Sequence, residues 1–79
     1  MNTILQPTID ALQQKDLIRA TIEVNRAIQA QPDCAEAYAL RGQISLAIGD
    51  KRGAAEDMKR AIELKPELLA QYTGEFQSK

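Results

Sequence analysis

Histidine and tryptophan are both missing from this 79-residue chain, cysteine occurs once, and two tyrosines and one phenylalanine are its only aromatic residues. Without histidine the chain lacks the commonest general base and the commonest metal ligand. A lone Cys34 forms no internal disulfide, which fits a reducing compartment. With neither histidine nor a second cysteine it builds neither a zinc site nor a Cys-His nucleophile. Cys34 sits in or next to a helix N-terminal turn, where a thiolate is favoured, and it reads first as a small hydrophobe. The glycines Gly42, Gly49, Gly53 and Gly74 are scattered, so no glycine loop cradles a phosphate. These absences argue against an enzyme and leave no cofactor or metal to expect.

An excess of one charge is also missing. Ten basic and eleven acidic residues give a formal net charge of -1, and the signs alternate without a basic run. Nucleic acid is therefore not an expected partner, because phosphate binding needs a positive stripe that releases counterions. No apolar stretch approaches the roughly 18 residues of a membrane span, and the N-terminus lacks the basic, apolar, small-residue order of a signal peptide. The chain reads as soluble and cytoplasmic, with a mature, already processed secreted form as the alternative.

What is present is small and aliphatic: 44% of residues are hydrophobic but only 4% aromatic, so Ala, Leu, Ile and Val must build the core of one small, all-helical domain over residues 1–79. At the start, Ile4, Leu5, Ile9, Ala11 and Leu12 approach a helical period. Either Thr3 caps this helix, with Gln6 completing a capping box, or Pro7 opens it at the first position, where its missing N–H costs nothing. The preferred helix runs from about Pro7 to Gln14. Asp16 then caps LIRATIEVNRAIQA, in which Leu17, Ala20, Val24, Ala27 and Ile28 recur at spacings of three and four, and Pro32 ends it near Gln31. Asp33 with Glu36 reads as the capping box of AEAYALRGQISLAI, which has apolar residues on two sides and so must make contacts in two directions. Gly49 supplies a left-handed helix end and Asp50 the next cap, of KRGAAEDMKRAIEL, with Ala54, Ala55, Met58, Ala61 and Ile62 inward. After Pro66 a fifth helix is expected, with Leu68, Leu69 and Tyr72 able to pack.

Shifted by 34 residues, the chain matches itself at positions that include Asp16 and Asp50, Ala20 and Ala54, Arg26 and Arg60, Ala27 and Ala61, Ile28 and Ile62, Pro32 and Pro66, Tyr38 and Tyr72, and Gln43 and Gln77. A fixed period in this range marks a stacked helical array. With Tyr38 as the aromatic, Gly42 as the small residue, Gly49-Asp50 as the turn, Ala54 and Ala61 as the small alanines, Met58 as the bulky residue and Pro66 as the closing proline, the chain resembles the tetratricopeptide repeat family. Residues 33–66 match one complete unit. Residues 1–32 keep the second half, Asp16, Ala20, Val24, Ala27 and Pro32, but have Ile4 and Thr8 at the aromatic and small positions. Residues 67–79 resemble a terminal capping helix. Physically, small Gly42, Ala54 and Ala61 let two helices approach at the short end of the usual separation of about 8–10 Å.

The resemblance implies a right-handed solenoid of helical hairpins, about two repeats plus a C-terminal cap, whose first helices line a concave, protein-binding face. In the complete unit that face maps to Glu36, Ala39, Leu40, Gln43, Leu46 and Ala47, and in the first to Leu5, Ile9 and Leu12. Leu40 and Leu46 either pack on a neighbouring unit or wait for a ligand. The family's carboxylate-holding Lys, Asn and Arg are replaced here by Leu5, Ile9 and Leu40, which implies a shallow apolar groove for an amphipathic helix or extended segment of a protein partner. Arg41, at a position usually apolar in the family, either snorkels along its stem or pairs with a neighbouring Glu. The second expectation is a homodimer burying the same apolar faces, because fewer than three units stack here.

Overall fold

The computed structural model describes residues 3–68, and every regular element among them is helical. A 3-10 turn at Thr3–Leu5 leads into α1 (Gln6–Gln13), followed by α2 (Leu17–Ala30), α3 (Ala35–Ala47) and α4 (Lys51–Leu64). The fifth helix expected within 67–79 falls almost wholly outside the described residues.

Local chemistry explains each boundary. Leu5, in place of Thr3, occupies the N-cap of α1 without a side-chain bond, and Pro7 lies in the first turn, where its missing N–H costs nothing. Asp16 and Asp50 cap α2 and α4, accepting from the N–H of Arg19 at 3.1 Å and of Gly53 at 2.9 Å. The Asp33–Glu36 box is corrected: α3 begins one residue later than that box requires, Cys34 is its N-cap, and no side chain caps it.

The two hairpin turns repeat one geometry. The N–H of Gly49 bonds the Leu46 carbonyl at 3.1 Å and that of Asp50 bonds Ser45 at 2.8 Å, with Gly49 left-handed at φ 88°. Thirty-four residues earlier, Lys15 bonds Leu12 at 3.0 Å, Asp16 bonds Ala11 at 2.9 Å, and Lys15 adopts φ 60°. This double closing bond needs a left-handed residue, a role for which glycine is the unstrained choice. The helices that follow, α2 and α4, are each 14 residues long and end at Gln31 and Lys65 with nearly equal φ and ψ, -137° and 84° against -142° and 88°. The period written in the side chains is thus also written in the backbone.

Packing splits the core in two. Leu5 and Ala11, with Ala20, Val24 and Ala27 of α2, meet Cys34, Ala37 and Ile44 in one cluster; Ile4, Ile9, Leu12, Ile28 and Leu40 pack against it. Ala35 and Ala39 turn the other way, to Met58, Ala61 and Leu68, flanked by Tyr38, Ile62 and Leu64. Helix α3 therefore packs in the two directions its pattern requires. Ala55, expected inward, is exposed. Gly42 allows close approach of α4: a Cβ there would lie 3.3 Å from the Ala54 carbonyl oxygen and 3.3 Å from Met58 Cε. The first hairpin has Thr8 and Val24 at these places in exchange for Gly42 and Met58, and both are fully buried. Thr8 Oγ1 has no hydrogen-bond partner, a desolvation cost of about 1–3 kcal/mol.

Lys15→Gly should stabilise the chain by about 0.5–1 kcal/mol and Gly49→Lys should destabilise it by about 1–2 kcal/mol, both read from urea denaturation. A loss of stability in Lys15→Gly would contradict the strained left-handed assignment.

Candidate functional site

The polar side of α3 is organised by Arg41. Its Nε and Nη2 donate to Oδ2 and Oδ1 of Asp57, each at 2.9 Å, and its Nη1 donates to Asn25 Oδ1 at 3.1 Å. A planar guanidinium suits this two-pronged hold on a carboxylate, and the third bond reaches the preceding hairpin, so one side chain joins α2, α3 and α4. The bond to Asp57 raises the Arg41 pKa beyond its already high value, against the opposing effect of partial burial. The expected glutamate partner is replaced by an aspartate on α4, one 16-residue step along the chain, with Asn25 one such step back. Tyr38 stands beside this group: its hydroxyl donates to the Pro32 carbonyl at 2.8 Å, and the guanidiniums of Arg41 and Arg60 lie 5.5 Å and 5.9 Å from its ring centroid.

The expected binding face divides by depth. Leu5 and Ala39 are buried and present almost no surface. Ile9, Leu12 and Leu40 are half-buried and converge on the first core cluster. Glu36 is half-buried and bound, its Oε2 accepting from Lys65 Nζ at 2.6 Å. That bond holds the Glu36 carboxyl below its ordinary value and lifts the Lys65 ammonium above its own. Gln43, Leu46 and Ala47 are exposed, on the C-terminal half of α3, and Ile48 continues their surface into the turn. Leu46 keeps 43% of its area in water and is matched at the 34-residue offset by Leu12.

Two features escaped the sequence. Asn25 and Asp57 as partners of Arg41 needed a register between helices that no local pattern gives. Ile18 and Ile22 on α2 are exposed, and their spacing of four on the polar side of the helix was a readable signal. Among the described residues no group of three or more Cys, Asp or Glu is placed to hold a metal ion. A polar cleft of about 240 Å³ lies between Pro7, Asp10, Ala11, Gln14 and Arg19. No helix among these residues is long and apolar enough to cross a membrane. No protein-family model, curated protein or solved structure matches the chain.

Two predictions follow from the ion pairs. In a double-mutant cycle of Arg41→Met and Asp57→Asn, the double variant should lose less stability than the two single changes summed, with a coupling of about 1 kcal/mol; strict additivity would refute the clamp. Because the folded Glu36 pKa is lowered, its contribution is present above the ordinary value of 4.5 and lost as pH falls through the lowered one. The acid limb of the Tm profile should therefore flatten in Glu36→Gln, and an unchanged limb would count against the bond with Lys65.

Proposed function

We propose that the chain is a tetratricopeptide-like repeat module that binds a segment of another protein. The observation that carries this reading is the backbone geometry repeated at 34 residues, together with an apolar surface left open on α3. In this reading residues 1–32 form a degenerate first unit, 33–66 the complete one and 67–79 a capping helix of a short right-handed solenoid. Its work is binding in the cytoplasm, with no catalysis and no cofactor.

The contact surface is Gln43, Leu46 and Ala47, with the half-buried Ile9, Leu12 and Leu40 as its apolar floor. Such a shallow face suits an amphipathic helix or extended segment whose apolar residues cover Leu46. The exposure of Leu46 and Ile48 also favours a second reading, a homodimer formed through the same side of α3.

Leu46→Asp with Ala47→Glu leaves both core clusters intact, since neither residue belongs to them. Affinity capture from cell lysate with quantitative mass spectrometry should show at least about a tenfold loss of the captured protein in this variant. Equal capture by a variant with native circular dichroism would refute the surface. Sedimentation at high micromolar concentration separates the readings: a single monomeric boundary excludes the homodimer.

A further inference from the structure

Helix α2 carries a feature on its outer side that its counterpart lacks. Ile18 and Ile22 stand one turn apart, 78% and 52% exposed, and belong to neither core cluster. At the same places in α4 stand Arg52 and Glu56, both exposed. The second hairpin thus closes with charged residues at these positions, so the hairpin itself does not call for isoleucine there.

Arg19 and Arg26 border the strip, and both are exposed. At about 100° per residue they lie about 100° and 80° around the helix from Ile18, with Ile22 about 40° from it. Neither guanidinium has a carboxylate partner among the described residues, whereas Arg41 is held by Asp57 and Arg60 lies 3.7 Å from Glu63. Of the nearby acidic groups, Asp16 caps the helix, and Glu23, half-buried and on the same helix as both arginines, forms no ion pair with either among the described residues.

We propose that this strip docks an acidic amphipathic helix of another protein, whose apolar residues cover Ile18 and Ile22 while its carboxylates reach Arg19 and Arg26. Charge complementarity selects the occupant, because two arginines without a carboxylate partner among the described residues, beside an apolar pair, favour a ligand that carries both chemistries. A two-fold contact of the strip with a second copy would bring four arginines together. An anionic membrane is a poorer match, since lipid recognition by charge takes clusters of about 4–8 basic residues, and this strip has two. The surface lies on α2 and does not depend on the reading of α3.

Selection of a phage-displayed library of random short peptides on the purified full chain tests the proposal, with phosphatidylcholine–phosphatidylserine vesicles as a parallel probe. Enriched peptides should combine Asp or Glu with apolar residues at spacings of three and four. Their binding should fall at least about tenfold in Ile18→Ser/Ile22→Ser, and Arg19→Glu/Arg26→Glu should lose them while gaining their lysine-substituted versions. All four side chains are exposed, so unchanged circular dichroism and Tm separate lost binding from lost folding. Selection without acidic enrichment, acidic peptides that bind both variants as well as the parent, or peptides sensitive only to Leu46→Asp would each overturn the proposal. So would vesicle sedimentation abolished by Ile18→Ser/Ile22→Ser, which assigns the strip to lipid.

Discussion

Helix α3 must bury two sides at once, and the rest of the molecule is arranged around that constraint. Ala37 and Ile44 close the first core cluster while Ala35 and Ala39 open the second. Small residues make this possible. A helix with leucines on both sides would hold its neighbours apart, whereas alanines and Gly42 let them come close enough for dispersion contacts to accumulate. Arg41 then fixes the rotation of α3 between its neighbours, because bonds to Asn25 on one side and Asp57 on the other fit one orientation of the helix. A charged clamp adds orientation where an aliphatic core specifies it weakly.

Much of this was legible in residues 16–66 because punctuation and period agree there. Asp16, Gly49, Asp50 and the two prolines mark ends by local chemistry, and local chemistry is what a sequence shows directly. The failures have a common cause in distance or in missing punctuation. Lys15 takes a left-handed conformation that only a glycine would have announced, yet the closing bonds to Ala11 and Leu12 form there all the same. Glu36 was read as a local cap and instead reaches Lys65, 29 residues away, because α3 begins at Ala35. Leu5 and Ala39, mapped to the open face by resemblance, are buried instead, Leu5 in the first core cluster and Ala39 in the second.

The surface chemistry follows from the same arrangement. A helix walled on two sides keeps little of itself free, and what remains free on α3 is its C-terminal half, where Gln43, Leu46 and Ala47 pass beyond the cores. Helix α2 meets α1 and α3 and retains an outer side, and there Ile18 and Ile22 stand where α4 has charge. The two hairpins share a backbone plan while differing in what they show to water.

Native-state amide hydrogen exchange tests the two-sided role of α3 most directly. If both cores depend on it, the amides of its central turns exchange more slowly than those of α2 or α4, and only through global unfolding. Central α3 amides that exchange faster than those of either neighbouring helix would contradict the account.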